Sequence, residues 1–324
     1  MTRRFCLPVF LLLIVLLSTV IGAQEKKLNW SVRTADSFIK KFPDPDSIHW
    51  VGQTNHFSWQ AGYVMFAMEK MWRATRDIKY YNYIKKYVDQ QVDESGNIPG
   101  FSPTALDNFL PGYAIIFMFE QTHLEKYKIA TKKIRDTFIN YPRNSDGGFW
   151  HGSWANKNTG LASEVWSEGL GWFALLIADV FEYLPQDHRD YNYLLSILRN
   201  LCKGLKNVQD VNTGMWCQVV DKPKLPDNWN ETSGTGMYLY LIKKSIEKGY
   251  ISKKEFNPVV KKAYQGIIKK ANINSNDLVD IYNCSSIGIM DDYKMYVSQP
   301  KEVNTFAGVT SFIIGTLSME GLYK

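Results

Sequence analysis

Residues 171–178 read Gly171-Trp172-Phe173-Ala174-Leu175-Leu176-Ile177-Ala178, an apolar run with no polar side chain in it. As a helix it has no face to show to water, so protein must enclose it. Four more stretches share this character: Tyr63–Met68, Tyr113–Phe119, Met237–Ile242 and Phe306–Ile314. Between them lie segments with one apolar stripe among Lys and Asp. Tyr80, Ile84, Tyr87 and Val88 recur at helical spacing, as do Tyr127, Ala130, Ile134 and Phe138. Leu194, Ile197, Leu201 and Leu205 repeat the pattern, and so do Val260, Ala263, Tyr264, Ile267 and Ile268. A weaker amphipathic helix is expected near Thr34–Lys41.

The links between these segments alternate too. From apolar to amphipathic helix they are short and polar, as in Ala74-Thr75-Arg76-Asp77. The return links are long and turn on glycine, as in Glu94-Ser95-Gly96-Asn97 and Val211-Asn212-Thr213-Gly214. Hairpins of a buried inner and a half-buried outer helix stack into a ring, so the expected fold is all-α, an (α/α) barrel. The inner helices then all begin at one rim. Their unpaired N–H groups and positive ends converge there on a concave floor suited to an anion, such as a carboxylate.

With 324 residues, 45% hydrophobic and 14% aromatic, the chain can bury a large core. Its formal net charge of +6 is spread without a basic run, which argues against a nucleic-acid partner. Cysteines 6, 202, 217 and 284 have no metal spacing, and the histidines form no His-Glu-x-x-His pair. No metal and no cofactor are expected. Arg3 and Arg4, the apolar stretch Val9–Val20 and Ile21-Gly22-Ala23 read as a secretory signal over residues 1–23. Residues 24–324 would then form a single domain in the periplasm or outside the cell, with no membrane contact after cleavage. The remaining three thiols cannot all pair with one another.

Five motifs fall where the inner helices start. Asp107, in Leu106-Asp107-Asn108-Phe109-Leu110-Pro111-Gly112, is either a carboxylate on the pocket floor or an N-cap. His151 stands in the glycine- and tryptophan-rich loop Gly147–Trp154, where it binds a substrate oxygen or makes a structural hydrogen bond. Glu168 opens the third apolar helix four residues after Glu164. On one helix face the two would repel and push one pKa upward; otherwise both sit in a solvated first turn favoured by the dipole. Thr232 and Ser233 open the fourth, as sugar ligands or as caps. Phe57, Trp59, Trp154 and Trp172 belong to an aromatic surplus near these starts that offers faces to sugar rings or packs the core. Asp291-Asp292 reads as a turn.

In order along the chain, FSWQAGYVMFAMEKMW (57–72), LDNFLPG (106–112), GGFWH (147–151), HGSWANKNTG (151–160), GLGWFALLIADVFEYLP (169–185), DNWNETSGT (227–235) and AGVTSFIIG (307–315) resemble glycoside hydrolase family 105, the unsaturated rhamnogalacturonyl hydrolases. More distantly they resemble family 88, the unsaturated glucuronyl hydrolases. The resemblance implies a barrel of six hairpins that acts on lyase-generated oligosaccharides ending in a 4,5-unsaturated uronic acid, such as pectin fragments. It implies protonation of C4 of the vinyl ether, addition of water at C5, and collapse of the hemiketal. Asp107 matches the family's aspartate in Asp-x-x-x-Pro-Gly, and His151, Trp59 and Phe57 match its loop histidine and its aromatic positions.

The chain departs from that pattern at one place. The family usually carries a further hairpin, opening with Trp-x-Asp-Gly-Leu-x-Met and holding the acid, between two loop motifs that here fuse at His151. Five inner helices remain. Trp166-Ser167-Glu168-Gly169-Leu170 fits that acid motif with Glu168 for aspartate, or a later Trp-Gly-Arg-x-x-Gly-Trp motif with Glu168 for arginine. Three readings follow. The chain is a hydrolase using Glu168 and Asp107, a sugar-binding member without turnover, or an inverting glycosidase on a similar barrel.

Overall fold

The computed structural model describes residues 29–49, 56–104, 106–141, 162–286, 288 and 290–322. Their eleven α-helices are α1 (Trp30–Lys41), α2 (Trp59–Thr75), α3 (Ile78–Gln91), α4 (Gly112–Thr122), α5 (Glu125–Ile139), α6 (Ser167–Asp179), α7 (Tyr191–Val208), α8 (Thr232–Glu247), α9 (Lys253–Ile267), α10 (Tyr293–Ser298) and α11 (Phe306–Glu320). Two antiparallel ribbons in the return loops were not foreseen: β1 (Trp216–Cys217) with β2 (Asn230–Glu231), and β3 (Ala271–Ile273) with β4 (Val279–Ile281). The proposed signal lies outside the described residues. Among those residues no helix is long and apolar enough to cross a membrane.

The alternation of the sequence becomes an (α/α) toroid. Inner helices pack in the order α4, α2, α11, α8, α6, and α1, α3, α5, α7 and α9 lie outside them. The first ten residues of α8 are buried on every side, as is α11 from Ala307 to Ser318, as helices without a polar face require. Glycine sets how closely these two approach: a Cβ on Gly236 would collide with the backbone of Ser311. Short links end in left-handed residues, Arg76 after α2 and His123 after α4, which turn the chain outward at once.

One expectation fails. Ile116 on α4 and Phe173 and Leu176 on α6 are exposed, so two inner helices are not enclosed. No packing comparable to the other neighbours joins α4 to α6 among the described residues. The chain between them, 142–161, lies outside the described residues.

At the end opposite the return loops a charged cluster ties the helices together. Lys70 of α2, buried, lies 3.1 Å from Asp179 of α6 and 3.4 Å from the Tyr113 hydroxyl of α4. Asp179 also accepts from Lys244 (2.6 Å) and the Tyr240 hydroxyl (2.7 Å) of α8. Burial pulls the Lys70 ammonium down, but Tyr240, Glu69 and Asp179 overcome it and hold it well above its usual value. Cations at these helix ends also meet the negative ends of the dipoles. Cys202, Cys217 and Cys284 are free and buried. Burial pushes Cys202 up to about 12 and Cys217 up to about 11, so both are poor nucleophiles near neutral pH.

Candidate active site

A cavity of about 590 Å³ opens at the rim where the inner helices start. Its walls are Trp59 at the first residue of α2, Leu106, Asp107 and Leu110 from the turn before α4, Trp166, Glu168 and Trp172 from the start of α6, Ser285, Ser286 and Gly288 from the loop after β4, and Thr305, Phe306 and Ala307 at the start of α11. Such a volume accommodates a sugar unit or two.

The tryptophans are held in place by packing. Trp172 meets Trp59 edge-on at 5.8 Å and Tyr63 at 4.5 Å between ring centroids. Trp166 stacks on Tyr296. Gly169 lies against the Trp166 indole, and a Cβ there would collide with it. Indoles fixed this way present apolar faces at no entropic cost on binding.

Glu168 is 6% exposed, in the first turn of α6. Burial, then the nearby Glu231 charge, hold its carboxyl well above the usual range, against hydrogen bonds from the Trp172 and Ser233 side chains. The expected partner was Glu164. That residue lies before the helix begins and pairs with Lys222, so it shares no helix face with Glu168. The role expected of Glu164 belongs to Glu231, at 0% exposure, 63 residues after Glu168. Glu231 caps α8 by accepting from the backbone of Ser233 (2.7 Å) and Gly234 (2.6 Å). It also accepts from the Ser285 backbone (3.1 Å) and the Ser233 hydroxyl (2.5 Å).

Asp107 is exposed, on the 3-10 turn Leu106–Phe109 at the cavity wall. The N-cap reading fails, because Pro111 holds that position in α4. No hydrogen bond to its side chain is made among the described residues, and partial desolvation raises its carboxyl from the ordinary value. Asp291-Asp292 precedes a short helix, with Asp292 accepting from the Met295 backbone at 2.8 Å as an N-cap.

Of the predicted site residues, Asp107, Glu168, Trp59 and Trp172 come together in the cavity. Phe57 does not line it; fully buried, it packs edge-on against Phe101. Thr232 is buried and donates to the Tyr282 carbonyl at 2.7 Å, and Ser233 is spent on Glu231. His151 and Trp154 lie outside the described residues. The sequence reading missed Ser285, Ser286 and Thr305; the adjacent serines after β4 and the N-cap position of Thr305 were the available signals. No lysine or arginine of the described residues lines the cavity, and Glu231 occupies the positive end of α8. The helix starts that reach the cavity among the described residues are those of α2, α6 and α11.

A helical toroid whose rim cavity joins tryptophan faces to two carboxyls is the architecture of a carbohydrate-active protein. Residues 30–154 and 152–323 match the Glycosyl Hydrolase Family 88 profile, and the chain belongs to that family. The two matched stretches meet at 152–154, beside the fused loop motifs. Among curated relatives, Protein Atu3128 of Agrobacterium fabrum is 29% identical over 102 residues, 32% of this chain and 43% of that protein. The chain therefore spans less than half the length of such relatives. An unsaturated 3S-rhamnoglycuronyl hydrolase of Formosa agariphila is 24% identical over 102 residues, 32% of this chain and 26% of that protein. Among solved structures, a family 105 glycoside hydrolase of Clostridium acetobutylicum (C. acetobutylicum ATCC 824) shares the fold with a TM-score of 0.79 at 23% identity, covering 90% of this chain and 99% of that one.

Proposed function

We propose that the protein is a glycoside hydrolase that removes a 4,5-unsaturated uronic acid from the non-reducing end of lyase-generated oligosaccharides. The observation that carries this reading is a buried carboxyl, Glu168, which burial makes hold its proton more tightly than usual, and an open carboxyl, Asp107, both lining one tryptophan-walled cavity. The hydration route needs those two states together. Glu168 gives its proton to C4 as the C4=C5 electron pair forms the new C–H bond. Water bonds to C5 and passes a proton to Asp107. The resulting hemiketal opens, and the saccharide leaves from C1. The proton on Asp107 returns to Glu168 through solvent, so the cycle consumes one water. Trp59 and Trp172 supply faces for the sugar, and the starts of α2, α6 and α11 favour the uronate.

The test is loss of double-bond absorbance from unsaturated disaccharides. Turnover by the wild type that falls by about 10²- to 10⁴-fold in Glu168→Gln supports the assignment. Binding without any absorbance loss favours the sugar-binding reading instead, to which the absence of lysine and arginine among the described lining residues lends weight. Release of sugar from saturated glycosides favours an inverting glycosidase. The reading of residues 1–23 adds that the enzyme works in the periplasm or outside the cell. Recovery of an exported chain beginning at Gln24 supports that placement, and an intact chain in the cytoplasm refutes it.

A further inference from the structure

We propose that Ser285 determines specificity by donating its hydroxyl proton to the uronate carboxylate, and that Gln218, which does not line the cavity, is the positioning residue that leaves this proton free. The proposal rests on the reading of the cavity as the uronide site, but binding alone tests it.

Gln218 directly follows β1, is 0% exposed and joins two walls of the cavity. Its backbone carbonyl accepts from the Ser167 N–H at 2.8 Å, which fixes the start of α6 beside Trp166 and Glu168. Its backbone N–H donates to the Trp229 carbonyl at 2.9 Å. Its side chain crosses to the loop after β4, where Nε2 donates to Ser285 Oγ at 3.2 Å. The Gln218 Oε1 has no donor among the described residues. Turned the other way, the amide would take up the Ser285 proton; as it stands, that proton is spared.

Ser285 is 2% exposed, and its backbone is held from both sides. Its N–H donates to Glu231 at 3.1 Å, and the preceding Cys284 exchanges two backbone hydrogen bonds of 2.9 Å with Glu302. A serine hydroxyl has one proton and two lone pairs. One lone pair meets Gln218, and no acceptor takes the proton among the described residues. A buried O–H without an acceptor, on a cavity wall, points to a ligand that brings one.

The start of α11 says which kind. Phe306 and Ala307 line the same cavity, and as first-turn residues their N–H groups have no partner within the helix. Thr305 takes only the N–H of Gly308, at 3.0 Å. Two free N–H groups, the positive end of a 15-residue helix and a hydroxyl donor suit a carboxylate better than any neutral group. Glu231 does not compete for this end, because its own two cap bonds go to α8.

The test is a calorimetric titration of the full chain with an unsaturated uronyl disaccharide and with its carboxyl-reduced analogue. Both are run in the Glu168→Gln background, so that turnover does not remove the ligand. The acid should bind about ten- to a hundredfold more tightly than the alcohol. Ser285→Ala should remove most of that preference by weakening the acid alone. Gln218→Met should lower the preference by about three- to tenfold, whereas a merely structural part for Gln218 would weaken acid and alcohol alike. Should that variant not fold, Gln218→Asn serves, since it withdraws the amide by one methylene. A preference that survives Ser285→Ala, or one unchanged in a folded Gln218 variant, overturns the proposal, as does a parent protein that prefers neither ligand. A preference lost in Ser285→Ala, in a protein whose wild type turns over no unsaturated uronide, leaves this proposal standing and sinks the hydrolase reading. Wild-type turnover with the preference intact in Ser285→Ala does the reverse.

Discussion

Replacing Glu168 by Gln should raise stability at neutral pH while lowering turnover by about 10²- to 10⁴-fold, and the size of the gain follows from burial. In the folded chain the Glu168 carboxyl titrates well above the ordinary range, because burial and the Glu231 charge both disfavour its anion. In the unfolded chain it titrates at the ordinary value, 4.5. At any pH between the two, the folded state holds a proton that the unfolded state has lost. Stability therefore falls as pH rises through this window, by about 1.4 kcal/mol per pH unit. Glutamine is neutral in both states and has no such slope. From about pH 5 to about pH 7, the stability of the wild type relative to Glu168→Gln should drop by up to about 3 kcal/mol. Urea denaturation of both proteins at the two pH values measures this as a double difference, which cancels every other titrating group. The two are close in shape, so little repacking enters. A difference that stays flat with pH would show that Glu168 ionises normally when folded, and the acid role would go with it.

Asp107→Asn should lower turnover by about 10²-fold or more with hardly any change in melting temperature, since Asp107 is exposed and caps nothing; a marked drop in melting temperature would give it a structural role instead. Asp179→Ala takes one carboxylate from Lys70 and Lys244, which keep Glu69 and Glu182, and chemical denaturation should show a loss of about 1–3 kcal/mol. Gly236→Ala should destabilise by about 1–3 kcal/mol because its Cβ meets the Ser311 backbone, whereas Gly204→Ala, in open space on α7, should stabilise by up to about 1 kcal/mol; thermal melts of the pair check both signs.

Periodicity alone carried the fold a long way. Runs such as Trp172–Ala178 and Met237–Ile242 have no polar face, and a chain of this length can hide such helices by ringing them with amphipathic partners. The helix starts were legible too, because capping residues and glycine turns act within a few residues of where they stand. Asp107 and Glu168 were visible for that reason, and Trp59 and Trp172 as aromatics near the same starts. Four-residue spacing, by contrast, misled at Glu164: two carboxylates share a face only if both are helical, and α6 begins at Ser167.

Local pattern determined the helices, their alternation and the rim on which the chemistry lies, since these depend on forces between near neighbours in the chain. Tertiary structure decided which carboxylate charge acts on Glu168, that Thr232 and Ser233 are turned to structural bonds, and that α4 and α6 lack, among the described residues, the packing that joins the other inner helices. Desolvation and charge coupling act through space, between groups that folding brings together, and no spacing along a chain records them.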